Sequence, residues 1–157
     1  MTGAPISLFL QTPDDTARAA KRLGGMLEPG DTVLLSGDVG AGKTHFARAL
    51  IQSQLKTPED VPSPTFTLVQ TYAGVKAEIW HADLYRLTGT QEIEELGLTD
   101  AFDGAVCIVE WPDRLGELAP SSGLLLTFEP GAGPDERRLT IVWKDPRWHD
   151  KVDAWLR

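Results

Sequence analysis

The chain has 157 residues of which 41% are hydrophobic, enough for one ordinary core and too short to argue for two independent ones, so residues 1–157 read as a single domain. With 23 acidic against 15 basic residues the formal net charge is -8, which opposes a strong direct grip on nucleic acid and points to protein partners or to solubility. No apolar run approaches the ~18 residues that span a bilayer, and Met1-Thr2-Gly3-Ala4-Pro5 lacks the basic flank of a signal peptide, so no membrane association and a cytoplasmic location are expected.

Residues 6–10 form a predicted strand, followed by Thr12 as N-cap, Pro13 at the first helical position and Asp14 and Asp15 in the first turn of a helix running toward Met26. Gly24-Gly25 and Pro29-Gly30 stop that helix and turn the chain into a continuously apolar strand over residues 32–36, suited to a sheet covered on both faces. Gly37-Asp38-Val39-Gly40-Ala41-Gly42-Lys43-Thr44 comes next and fits the phosphate-cradling pattern G-x-x-x-x-G-K-[ST] without mismatch. The glycines let successive N–H groups curl inward, and the following helix aims its positive dipole end at the same spot. Lys43 adds a charge for the phosphates and Thr44 the hydroxyl that Mg2+ expects, so a nucleoside triphosphate is the predicted ligand. Phe46, Ala47, Leu50 and Ile51 recur at helical spacing and predict a helix over 43–55.

Residues 67–72 and 75–81 alternate around Ala73-Gly74 and predict a hairpin; 91–96 read as a short acidic helix, and 105–109 as a buried strand ending at Glu110-Trp111 before Pro112 breaks it. Cys107, alone of its type, sits in that strand and reads as a small buried hydrophobe. Residues 124–128 and 138–144 form a second predicted hairpin across 130–134, and Trp148, Val152 and Trp155 a closing amphipathic helix in 145–157. The fold class expected is α/β, P-loop NTPase-like, a mainly parallel central sheet flanked by helices with antiparallel hairpin additions.

In phosphate-loop proteins a second strand commonly ends in an acid that holds the magnesium shell or activates water, and Glu110 stands there, where either role is open. Trp111 covers the site or fills core. The hydroxyl-rich loop from Val61-Pro62-Ser63-Pro64 through Thr65, Phe66 and Thr67 lies where many nucleotide switches sense the terminal phosphate. His81 and Asp83 fall two apart on one strand face, where both could face the magnesium, while zinc-ligand spacing is absent elsewhere. The start of the first helix near Thr12 and the 130–134 loop are candidate walls for a base.

Taken together, the phosphate loop, Ser63-Pro64-Thr65-Phe66-Thr67-Leu68-Val69, His81-x-Asp83-Leu84-Tyr85-Arg86-Leu87, Glu94-Glu95-Leu96-Gly97 and Ile108-Val109-Glu110-Trp111-Pro112 closely resemble the TsaE (YjeE) family in that order, over residues 12–144. The resemblance implies a weak, Mg2+-dependent ATPase needed for threonylcarbamoyl modification of adenosine in tRNAs that read codons beginning with A. It implies docking on a TsaB–TsaD heterodimer, in which TsaD transfers the group and ATP hydrolysis resets the complex. Carried over by position, it places Gly37, Asp38, Val39, Gly40, Ala41, Gly42 and Lys43 on the phosphates of ATP or ADP, Thr44 and Glu110 on Mg2+, Asp83 and Glu110 in catalysis, Trp111 at a functional position, and Thr65 as the nucleotide sensor. The rival reading is a small-metabolite kinase with Arg86, Arg137 and Arg138 as a transition-state clamp. A GTP switch is disfavoured because the chain contains no asparagine for an Asn-Lys-x-Asp guanine reader.

Overall fold

A computed structural model of the protein describes residues 5–157 apart from 39, 63, 65–67 and 88. Among the described residues the strands are β1 (Ile6–Leu10), β2 (Thr32–Ser36), β3 (Val69–Ala73), β4 (Glu78–Asp83), β5 (Val106–Glu110), β6 (Leu124–Pro130) and β7 (Arg137–Val142). The helices are α1 (Pro13–Gly24), α2 (Lys43–Ser53), α3 (Thr90–Glu95), α4 (Leu98–Ala101) and α5 (Arg147–Trp155), with a 3-10 helix over Pro112–Leu118. The strands form one sheet ordered β1-β7-β6-β2-β5-β4-β3, in which the four central strands run parallel and the pairings β1 with β7, β7 with β6 and β4 with β3 are antiparallel.

The central parallel block explains why β2 is apolar throughout. Val33 and Leu35 face a cluster with Leu23 of α1, Phe46 and Leu50 of α2 and Trp155 of α5, whereas Leu34 faces a second cluster with Ile93, Leu98 and Val109. Either face would expose a row of leucines if its helices were removed. Phe46 sets its ring edge-on to Phe128 with centroids 5.3 Å apart, which holds α2, and so the loop before it, firmly on the sheet.

Local chemistry delimits the elements. Thr12 Oγ1 accepts from the Asp15 N–H at 3.1 Å and Pro13 opens α1, as their positions predict. That helix ends at Gly24, two residues before Met26, with Gly25 as its C-cap. The β3–β4 reversal is tight: a Cβ on Gly74 would come within 2.4 Å of the Ala77 carbonyl oxygen, so residues 75–77 belong to the turn and β4 starts only at Glu78. The closing helix is tied at both ends: Trp148 Nε1 donates to the Ser122 carbonyl (2.6 Å), Trp155 Nε1 to the Ala19 carbonyl (2.9 Å), and Lys151 reaches the buried Asp31 carboxylate at 2.5 Å. Among the described residues no helix is long and apolar enough to cross a membrane.

Candidate functional site

Three parallel strands bring the site together at their C-terminal ends. The β2–β5 register sets Leu35 opposite Glu110, and the β4–β5 register sets Asp83 opposite Glu110. The loop leaving β2, the acid ending β5 and the acid ending β4 therefore share one edge of the sheet, the usual location of ligand sites in open α/β sheets. The chain segments involved are far apart in sequence, yet the ladder fixes their spacing.

Glycine is required at Gly37, Gly40 and Gly42, all at positive φ. Gly37 has φ +136°, and a Cβ there would lie 2.6 Å from the Phe128 carbonyl oxygen; Gly42 has φ +107° and opens α2 with no side chain capping the helix. An uncapped helix N-terminus at a curled loop is a ready anion site. Lys43, the first residue of α2, is only 4% exposed; its ammonium donates to the Gly37 carbonyl and lies 3.6 Å from the centroid of the Trp111 ring. Burial pulls the Lys43 pKa below its usual value, and the carboxylates of Glu110, Asp83, Asp38 and Asp113 oppose that pull.

Glu110 is 1% exposed and both of its oxygens are engaged. Thr44 Oγ1 donates to Oε1 at 2.8 Å, and His81 Nε2 stands 2.7 Å from Oε2. Asp83 Oδ1 accepts from the Tyr85 N–H at 3.1 Å; burial raises its carboxyl above the ordinary range, the charge of Glu110 adds to the rise, and His81 and Lys43 counter it. Trp111 adopts φ 61°, ψ 55°, a left-handed conformation that is costly for a bulky residue, and its ring packs at 4.8 Å against that of Tyr85. The ring both lies over Lys43 and packs against the cluster of Leu34 and Val109.

These groups line a cleft of about 650 Å³, the size of a small-ligand site. Pro13 and Thr16 of α1 form one wall, Asp83, Tyr85 and Trp111 another, and Asp135 and Arg137 close the far side. Of the two segments named as candidate walls for a base, the first-helix start lines this cleft through Pro13 and Thr16, and on the hairpin side the lining comes from Asp135 and Arg137, just beyond the 130–134 loop. Gly40, Gly42, Lys43, Thr44, Asp83, Glu110 and Trp111 all border this cleft, Gly37 meets Lys43 from behind, Ala41 is buried with its N–H on the Asp38 carbonyl at 3.1 Å, and Val39 and Thr65 lie outside the described residues.

A hydroxyl and a carboxylate 2.8 Å apart are the oxygen donors a hard cation takes. Among the described residues no group of three His, Cys, Asp or Glu side chains is placed to hold a metal ion. Arg137, a clamp candidate in the kinase reading, instead supports the loop, a role that sequence reasoning missed: its Nε donates to the Ala41 carbonyl (3.0 Å), one terminal nitrogen to Gly40 (3.3 Å) and the other to Pro134 and Glu136. Arg138 is committed to both oxygens of Glu129 at 2.9 Å, so two of the three arginines of the kinase clamp are occupied elsewhere.

The model of the family described as threonylcarbamoyl adenosine biosynthesis protein TsaE matches residues 10–139. The chain is similar to the tRNA threonylcarbamoyladenosine biosynthesis protein TsaE of Rickettsia felis, with 42% identity over 71% of this chain and 65% of that protein, so it spans just under two thirds of that relative's length. It is 38% identical to the protein of that name from Bacillus subtilis, over 83% of this chain and 80% of the relative. The crystal structure of Bacillus subtilis YdiB superposes with a TM-score of 0.79 at 28% identity, covering 100% of this chain and 97% of that one, and the two share a P-loop NTPase-like α/β fold.

Proposed function

This chain belongs to the TsaE family, and on that premise we propose that it binds ATP or ADP with Mg2+, hydrolyses ATP slowly, and serves threonylcarbamoyl modification of adenosine in tRNA as an accessory protein in the cytoplasm. The observation that carries this reading is the 2.8 Å contact between Thr44 and Glu110 beside the buried ammonium of Lys43. Such a trio has no structural need at a strand end: it collects one cation, one hydroxyl and one carboxylate around an uncapped helix N-terminus.

Each residue then has a task. The loop amides and Lys43 bind the phosphates, and the Trp111 and Tyr85 rings keep water off the ammonium, so its charge acts in a lower dielectric. Thr44 and Glu110 Oε1 are the protein's ligands for Mg2+, which when bound neutralises charge on the transferring phosphoryl group. Asp83, at the cleft opposite Glu110 and with one oxygen on the Tyr85 N–H, is the carboxylate placed to take the proton of the attacking water. Glu110 is less suited to that step, since both its oxygens are already bonded.

Slow turnover fits the placement of two of the three arginines: Arg137 holds the carbonyls of the loop and Arg138 pairs with Glu129, while Arg86 lines the cleft. The missing stabilisation is supplied by protein partners, for which the TsaB–TsaD heterodimer is the proposed assembly; the net charge of -8 fits a role without strong direct tRNA binding. The test is calorimetry with ADP and Mg2+, followed by ATP turnover with and without the heterodimer. Heat on binding and a faster rate with the partner are expected. A phosphorylated free metabolite as product would establish the kinase reading in its place.

A further inference from the structure

The pairing of His81 with Glu110 has no part in phosphate binding and is not needed to fill space. Both side chains are buried at 1% and 2% exposure, with Nε2 and Oε2 2.7 Å apart across the parallel β4–β5 ladder. His81 Nδ1 is buried and has no hydrogen-bond partner among the described residues. A proton on Nδ1 would be stranded, so the proton resides on Nε2 and is donated to the carboxylate. Glu110 Oε2 is thereby tied to the interior, and only Oε1, which faces Thr44, is turned toward the cleft. The terminal torsion of a glutamate is broad, so without this bond the plane of the carboxylate would be free to turn away from Thr44. A buried polar pair is weak evidence of a stability role, and an aliphatic side chain would fill the same volume without stranding a nitrogen.

We propose that His81 is a positioning residue: its Nε2–H clamps Glu110 in one orientation and so presents a single carboxylate oxygen, paired with the Thr44 hydroxyl, to the metal. The inference rests on the nucleotide-and-magnesium reading of the same site. Outer partners that orient a metal-binding carboxylate typically contribute about 10- to 100-fold in metal affinity or activity. The loss here should fall on the metal-dependent part alone.

The experiment measures ADP affinity by calorimetry in EDTA and in Mg2+ for the wild type, His81→Leu, His81→Asn and His81→Gln, with kcat and KM for ATP alongside and thermal unfolding as the fold check. Leucine removes the donor, asparagine keeps polarity but is too short to reach Glu110, and glutamine places an amide N–H where Nε2 stands. His81→Leu and His81→Asn should bind ADP in EDTA as the wild type does, lose most of the affinity gained from Mg2+, raise KM for ATP in Mg2+ to match, and lower kcat by about 10-fold or more. His81→Gln should restore both. Folded Leu and Asn variants that keep the full Mg2+ gain and kcat overturn the proposal, as does a Gln variant no better than Leu. Loss of cooperative unfolding in both Leu and Asn variants assigns the pair to the fold and overturns it too. A wild type that shows no ADP binding in Mg2+ defeats the nucleotide reading itself, and the inference with it.

Discussion

Replacing Lys43 with methionine removes an ammonium but keeps an unbranched stem of similar length at a position only 4% exposed. In the folded protein the change deletes a charged hydrogen bond to the Gly37 carbonyl, worth about 1.5–3 kcal/mol. It also deletes the cation–π contact at 3.6 Å from the Trp111 ring, worth about 0.5–2 kcal/mol. Opposing both is relief of the desolvation that is the main cause of the lowered Lys43 pKa, an effect of several kcal/mol for a buried ion. These effects nearly cancel, so the melting temperature should move by no more than about 2–4 °C in either direction. Nucleotide binding has no such compensation: an ammonium about 4 Å from a phosphate at an effective dielectric of about 20 contributes about 4 kcal/mol. That corresponds to about three decades in Kd. Scanning calorimetry on the free protein and titration with ADP and Mg2+ measure the two halves of the prediction. An affinity within about tenfold of the wild type would refute the assignment of Lys43 to the phosphates, and a collapse in stability would refute the cancellation. The pH dependence gives a further check. Between its lowered folded value and the ordinary 10.5 the unfolded chain binds the extra proton, so wild-type stability rises with pH across that window and the methionine variant lacks the rise.

Asp83→Asn keeps an acceptor for the Tyr85 N–H but removes a carboxylate whose folded pKa is raised, chiefly by burial. A raised carboxyl favours the fold below the ordinary 3.8 and loses that contribution as pH climbs through the folded value, so the variant should melt higher than the wild type at neutral pH, with the gain gone below 3.8, while ATP turnover falls. A lower melting temperature at neutral pH would contradict this. Glu110→Ala should still bind ADP in EDTA but gain little from Mg2+, and undiminished Mg2+-dependent turnover would remove it from the site. Trp155→Ala opens a cavity beside Phe46 and frees the Ala19 carbonyl, at a cost of about 3–5 kcal/mol, and a melting temperature within about 2 °C of the wild type would show that α5 is not an anchor. Burial pushes the Cys107 thiol up to about 12, so a thiol reagent near neutral pH should label the protein only after denaturation; rapid native labelling would mean that β5 opens.

What can be read directly from the chain is whatever its chemistry makes local. The phosphate loop depends on eight consecutive residues, and the apolar run of β2 and the helical spacing in α2 are likewise local, so all three are where the sequence puts them. The short α4 and the 3-10 helix over Pro112–Leu118 are invisible because neither is long enough to show a period, and Gly116 kinks the latter. Asp83 and Glu110 could be nominated as strand-end acids, but the bond from His81 to Glu110 needs the β4–β5 register, which no window on the sequence contains. The hold of Arg137 on the Gly40 and Ala41 carbonyls joins residues almost a hundred positions apart and is hidden for the same reason.

Because the two acids are aligned by neighbouring strands, the intervening segment that carries α3 and α4 need not measure out the distance between them. Extra residues grafted into the turns around those helices would leave the carboxylates where they are. Trimming one residue inside β5 would do the opposite: every later side chain of that strand would swap faces, and Glu110 would turn away from α2 toward the face covered by α3 and α4. Tolerance to length variation and intolerance to frame shifts thus meet in a single stretch of this protein, separated by a few positions.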